Sequence, residues 1–414
     1  MRLTVAVLFA AAALSAGACH ARTADGAGSG NGAGSGSGDG PVETRPPEGN
    51  GQKPAFAGQT RAPGVHSKTA YQTSVVVGGL DHPWALQFLP DGKMLVTERP
   101  GRLRIIGADD KLSAPIAGVP AVEAKAQGGL QDIALDPNFA KNHTLYFTYL
   151  EPRAEGSGIA VGRAVLDEAG GKLDAVKTIF RAEPGYTDDK NVGSRVVVGR
   201  DGNLFVTIGD RFELKDKAQT LDNDLGKVIR ITPEGAPAKG NPFLGRKGAR
   251  PEIWSYGHRN QESAAINPAD GRLWTVEHGA RGGDEVNRPD PGKNYGWPVI
   301  TYGIDYSGMP VGQGITQHAG MEQPLYYWDP VIAPSGMAFY EGPLFPEWKG
   351  NLLVGGLRGQ HVARLVLNGT KVVGEERLLT ELKKRIRDVR VGPDGAVYVL
   401  TDEKDGSVVR VTPR

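Results

Sequence analysis

Several short stretches of this chain carry more chemistry than a turn requires. Arg259 and Asn260 close the run Ser255-Tyr256-Gly257-His258-Arg259-Asn260, and a guanidinium fork beside an amide suits a planar, anionic ligand. Arg385 and Arg387 lie in Lys383-Lys384-Arg385-Ile386-Arg387-Asp388. In a strand they share one face while Asp388 takes the other, and two guanidinia on one face call for an anion or for carboxylates. Arg358 follows Leu357, and Gln127 opens Gln127-Gly128-Gly129-Leu130, where glycines permit close backbone approach and the amide both donates and accepts. Singly, each has an ordinary reading: a surface salt bridge for Arg259, charged gatekeepers of an edge strand for Arg385 and Arg387, a plain turn for Gln127.

A different chemistry is suggested by Glu277-His278-Gly279-Ala280-Arg281-Gly282-Gly283-Asp284-Glu285, followed by Asn294-Tyr295-Gly296-Trp297-Pro298. Its glycines let backbone carbonyls turn inward while Asp284 and Glu285 supply charge, the oxygen set a hard cation such as Ca²⁺ prefers. The histidines are scattered and no cysteine is near, so zinc is not indicated. The spacing is not that of an EF-hand, and a metal-free acidic loop stays open.

Positioning these stretches requires a repeated scaffold. A short apolar strand, a Pro-Asp-Gly-like turn and a second alternating strand recur: Trp84 to Thr97 around Asp91-Gly92, Arg195 to Thr207 around Asp201-Gly202, Ala264 to Glu277 around Asp270-Gly271, Val389 to Thr401 around Asp394-Gly395. Looser copies run from Leu130 to Tyr149 and from Met337 to Gly355. Six such hairpins cannot bury both faces alone, whereas radial stacking covers each with its neighbour. The expected fold is all-β, a six-bladed β-propeller; a β-sandwich or a pair of β-domains would not repeat one hairpin six times. The special segments would then meet at one end of its channel, around a planar polyanion.

The chain starts with Met1, Arg2 and an apolar run from Leu3 to Leu14, the pattern of a signal peptide over 1–18. It closes on Ala16-Gly17-Ala18-Cys19, either a cleavage site or a lipobox. The lone Cys19 favours the lipoprotein reading. The expected location is outside the cytoplasm, in the periplasm, with membrane contact only through a lipid on Cys19. Residues 19–69 are rich in Gly, Ser and Pro and read as a flexible tether; residues 70–414 read as the propeller. A net charge of +1 with interspersed signs excludes the signature of a nucleic-acid partner.

From Leu80 to Arg414 the chain resembles the soluble PQQ-dependent sugar dehydrogenases, nearer the bacterial aldose sugar dehydrogenase branch than the glucose branch. The resemblance rests on LDHPWALQFLPDG, QGGLQDIALDPNF, EIWSYGHRN, EHGARGGDEVN, GKNYGWP, SGMAFY and RIRDVRVGPDGAVYVLTDE, in that order. It implies a six-bladed propeller that oxidises the anomeric carbon of aldoses to lactones, passing hydride to PQQ and electrons to a quinone or other external acceptor. It also implies that Gln127, Arg259, Asn260, His278, Arg358, Arg385 and Arg387 surround PQQ, with Arg358 where the family usually has lysine. Ca²⁺ would bind the carbonyls of Gly279 and Ala280, the latter in place of a proline, while Asp284, Glu285 and Tyr295 fall where the family supports that loop or binds a second Ca²⁺.

The resemblance breaks at the catalytic base. The family uses a histidine, whose pKa suits proton abstraction near neutrality, and the matching position here is Asn191 in Asp188-Asp189-Lys190-Asn191. Gln261-Glu262-Ser263 likewise departs from the family's Pro-Gln-Gly. Three readings follow: another base such as Asp188, Asp189 or Glu262; a degenerate protein that binds PQQ or sugar without efficient turnover; or changed chemistry, such as Ca²⁺-dependent lactone hydrolysis. PQQ-dependent oxidation ranks first, because the cofactor-side residues are retained.

Overall fold

Six sheets form around the six hairpins that the turn chemistry marks. The computed structural model describes residues 39–188 and 190–414. The leader, Cys19 and the start of the tether lie outside the described residues, as does Asp189. The innermost strands are Pro83–Phe88, Leu130–Leu135, Gly193–Val198, Gln261–Ile266, Pro334–Phe339 and Ile386–Val391. Each neighbours the next, and the last returns to the first, so the ring closes as a six-bladed propeller. Closure is completed by Tyr71–Leu80, which pairs with Gly406–Pro413 as the outer strand of the last blade.

Between every pair of adjacent blades lies one apolar cluster. Trp84 and Leu95 meet Phe147 and Tyr149 between blades one and two, and Trp274 and Val276 meet Met337 and Val354 between blades four and five. Leu86 and Val96 meet Tyr398 and Leu400 where the ring closes. Each sheet thus hides both faces, as radial stacking requires.

All six inner strands break register near their first residues: at 83/85, 130/133, 193/196, 261/263, 334/337 and 386/388. These bulges turn the strand ends and re-aim side chains toward the channel mouth. A threonine of the second strand repairs the ladder. The amides of Ala85, Asp132 and Arg195 donate to the hydroxyls of Thr97, Thr148 and Thr207. Those hydroxyls donate onward to the carbonyls of Gln131, Ser194 and Gln261 in the next blade. Deeper in the channel, Arg195 lies 3.2 Å from both Asp132 and Asp388, and Arg390 bridges the same two carboxylates.

The expected tether does not extend to residue 69. Asp39–Pro41 and Pro63–Gly64 pair with each other, and Gly64 joins blade five at Glu375. Gln59 and Ala62 are buried, and Arg61 donates to the carbonyls of Glu43, Arg45 and Asp329. The composition misleads because this segment is held by backbone pairing and buried polar contacts, not by an apolar pattern of its own.

Candidate functional site at the channel mouth

Arg259 anchors a cavity of about 240 Å³ shared with Asn191, Asp210, Ala280, Trp297 and Tyr306. It is held through its backbone: its amide donates to Glu277 Oε2 at 2.7 Å, and its carbonyl accepts from the amide of Asp210 at 2.8 Å. Its guanidinium reaches the carbonyl of His278 and the hydroxyl of Tyr306, both at 3.3 Å, and lies over the Trp297 ring at 5.2 Å. The Nε atom is buried without a partner. A buried donor left open at a cavity fits an anionic or quinonoid oxygen, because such donors are otherwise almost always satisfied.

Asn191 occupies the cavity with φ of +48°, a left-handed conformation that asparagine tolerates better than most residues. Its amide N–H donates to Gln127 Oε1 at 2.6 Å and its side-chain Nδ2 to Asp210 Oδ1 at 2.9 Å. The Gln127 turn approaches closely: a Cβ on Gly129 would sit 2.1 Å from the Arg99 carbonyl oxygen, so only glycine fits. Asn260 is buried. It accepts from the amide of Gly193 and donates to Glu262 Oε1, while His278 Nε2 faces the carbonyl of Pro334 at 2.6 Å.

Arg385 and Arg387 do converge, though not by simple alternation. Arg385 precedes the strand Ile386–Val391, and the register shift between Ile386 and Asp388 disrupts the period of two. Both guanidinia reach Asp402, and Arg387 is also 2.7 Å from Glu262. Arg99 joins this group unannounced by any sequence signal; burial and the nearby Arg387 charge lower its pKa. Arg358 lies apart at a more exposed position, 3.1 Å from Glu48.

In the glycine loop, Asp284 acts as a clamp. One oxygen accepts from the amide of Gly279, the other from the amides of Ile332 and Ala333, each at 2.8 Å. Those three amides hold the carboxylate and fix the loop. Glu285 accepts from Asn287 at 2.9 Å, and burial together with the Glu277 charge pushes its pKa well above the carboxylate range. The Tyr295 hydroxyl donates to the Arg288 carbonyl, and its ring stacks on His258 at 4.7 Å. A Cβ on Gly279 would meet the carbonyl oxygens of Gly282 at 2.2 Å and Gly283 at 2.5 Å, so backbone oxygens crowd this turn. Among the described residues no cluster of three or more His, Cys, Asp or Glu side chains is arranged around a metal. A cation here would therefore rely on carbonyl oxygens, a donor set that suits Ca²⁺.

The residue that sequence reasoning missed is Asp210. It is fully buried, and burial pushes its carboxyl up to about 6 against the opposing Arg259 charge and the hydrogen bonds from Asn191, Phe212 and Trp297. Nothing in Gly209-Asp210-Arg211 announces this role. Arg211 in turn pins the Asn191 loop by donating to the carbonyls of Ser157, Tyr186 and Asp188.

Comparison with known proteins places the chain in a family. The sequence profile of the Glucose / Sorbosone dehydrogenase family matches residues 80–410. Aldose sugar dehydrogenase YliI of Escherichia coli (strain K12) is 46% identical over 338 residues, 81% of this chain and 91% of that protein. The crystal structure of the soluble aldose sugar dehydrogenase from Escherichia coli in its apo form superposes with a TM-score of 0.80 at 45% identity, covering 83% of this chain and 100% of that one. The PQQ-bound aldose sugar dehydrogenase of Streptomyces coelicolor superposes at 0.68 with 29% identity, covering 84% and 100%.

Proposed function

This chain belongs to the glucose/sorbosone dehydrogenase family, and from that premise we propose that it oxidises the anomeric carbon of aldose sugars to the lactone with PQQ and Ca²⁺. The observation carrying this reading is the unpartnered Nε of Arg259 in a cavity shared with Asn191, Asp210 and Ala280. Arg259, Arg385 and Arg387, with Gln127, Asn260 and His278 around them, would hold the tricarboxylate. Arg358 would join them by exchanging Glu48 for a cofactor carboxylate. The carbonyls of Gly279 and Ala280 would hold Ca²⁺, on a turn that Asp284 keeps rigid. When bound, PQQ supplies the electrophilic quinone that accepts hydride, and the adjacent cation strengthens that electrophile.

The chain's own residues do the rest. Arg259 orients the reacting oxygens, held from both sides by Glu277 and the amide of Asp210. Trp297 and Tyr306 wall the cavity. Electrons leave for a quinone or other external acceptor. Asn191 itself has no useful basicity, and this favours a second reading, in which PQQ and sugar bind without efficient turnover. In the proposed setting the protein is periplasmic and attached through Cys19, which the mass of the mature N-terminus checks.

Titrating apo-protein with PQQ, with and without Ca²⁺, while following quinone absorbance tests the cofactor. Adding aldoses and an artificial acceptor then tests the reaction. Ca²⁺-dependent binding with turnover is the expected result, binding alone supports the second reading, and no binding overturns both.

A further inference from the structure

We infer that Asp210 takes the proton from the sugar's anomeric hydroxyl. The inference rests on the proposed sugar oxidation and names the residue that would serve it in the absence of a histidine. Asp210 follows the strand Leu204–Ile208 and shares the cavity with Arg259 and Asn191. Its geometry is fixed. Oδ1 accepts from Asn191 Nδ2 at 2.9 Å and from the amide of Phe212 at 2.8 Å, Oδ2 accepts from Trp297 Nε1 at 2.7 Å, and its own amide is bonded to the Arg259 carbonyl. The residue at the base position therefore touches this carboxylate directly, and an asparagine there fills less of the cavity than an imidazole would.

Among the described residues, the other candidate carboxylates are placed differently. Asp188 Oδ1 accepts from the amide of Lys190. Glu262 is divided between Arg387 and Asn260. In the cavity itself, Asp305 is tied to Ser307, which lowers its pKa, and Glu213 is exposed at the rim. The charged groups facing Asp210 are Arg259 from its own loop, Glu213 and Lys215 from the turn after Arg211, and Asp305 from the opposite loop. Lys190 instead lies over the Phe212 ring. A buried carboxylate titrating near 6 is matched to abstraction at neutral pH.

The step balances as follows. The anomeric O–H proton passes to Asp210 Oδ2, which accepts one hydrogen bond where Oδ1 accepts two. Hydrogen leaves C1 with both bonding electrons for an ortho-quinone oxidant, and the C1–O bond becomes a carbonyl. Asp210 then releases its proton to solvent, and the two electrons pass to the external acceptor.

Asp210→Asn keeps the side chain's shape. It should leave the PQQ titration unchanged while lowering sugar oxidation by about 100-fold or more. Asn191→His should raise oxidation in both backgrounds by supplying a new base. An independent readout needs no cofactor: in 5-fluorotryptophan-labelled protein, the Trp297 ¹⁹F resonance, assigned with Trp297→Phe, should titrate near pH 6 and lose that titration in Asp210→Asn. Wild-type oxidation rates in Asp210→Asn, or a Trp297 signal flat from pH 5 to pH 7.5 in the unaltered protein, would overturn the role of Asp210. Bound PQQ without any sugar oxidation by the wild type also overturns it while sparing cofactor binding, whereas absent PQQ binding overturns the proposed function itself.

Discussion

Arg387 Nη1 lies 2.7 Å from Glu262 Oε2, with the two side chains only 7% and 5% exposed. Burial alone would lower the arginine's pKa, but the charges of Asp402 and Glu262 reverse that and hold it protonated. Glu262 also accepts from Asn260. A glutamate therefore stands between two residues assigned to the cofactor, at a position where the resembling proteins carry glutamine.

Replacing Glu262 with glutamine should have two separable effects. The apo-protein should lose about 2 kcal/mol of stability in urea unfolding, since Arg387 keeps Asp402 but loses a charge-assisted bond. PQQ should bind more tightly, because a carboxylate that repels the cofactor's own carboxylates is gone. Weaker quinone binding in the titration would show that Glu262 positions Arg387 instead of competing for it.

The clamp formed by Asp284 makes the glycine loop sensitive to one substitution. Asp284→Ala strands the amides of Gly279, Ile332 and Ala333, at a cost of about 2–4 kcal/mol. It should abolish the Ca²⁺ dependence of quinone binding. In the unaltered protein, removing Ca²⁺ with EGTA should weaken PQQ binding; a titration indifferent to EGTA would count against a cation on the Gly279 and Ala280 carbonyls.

Asp210 also predicts the sign of a pH effect on stability. Its folded-state pKa of about 6 lies above the value of about 3.9 for a free aspartate. Ionising it therefore costs the folded state. The cost is absent below the unfolded value and grows as pH rises to the folded one. Stability of the wild type relative to Asp210→Asn should fall by about 2 kcal/mol between pH 4 and pH 7. Chemical unfolding at both pH values checks this, and a constant difference would show that burial does not raise the Asp210 pKa.

Arg211 and its neighbour Phe212 both adopt left-handed backbone, with φ of +58°, an uncommon conformation that packing must enforce. The Arg211 guanidinium fastens residues 186–188, just before Asn191. Arg211→Ala should speed amide hydrogen exchange across 186–191 and lower kcat/KM about tenfold through lost positioning. Unchanged exchange in that segment would remove Arg211 from the positioning of the site.

The six hairpins, four of them turning on Asp-Gly, the Arg259-Asn260 pair and the glycine turn before Asp284 were legible because each is a local statement. Turn chemistry, strand alternation and a glycine's freedom are written within a few residues, and repetition alone identifies the propeller. The sequence also showed that Asn191 lacks basicity, since that follows from its side chain. Other assignments depended on what arrives from distant parts of the chain. Asp210 meets Asn191 and Trp297 only because separate loops converge over the end of Leu204–Ile208. Asp284 is a clamp because amides from blade five reach it, Tyr295 is held by the Arg288 carbonyl and the His258 ring, and residues 39–69 pack because blade five offers them an edge. Side-chain type fixes what a residue is able to do; its partners and ionisation depend on burial and on neighbours brought together by long-range packing, which only the folded chain decides.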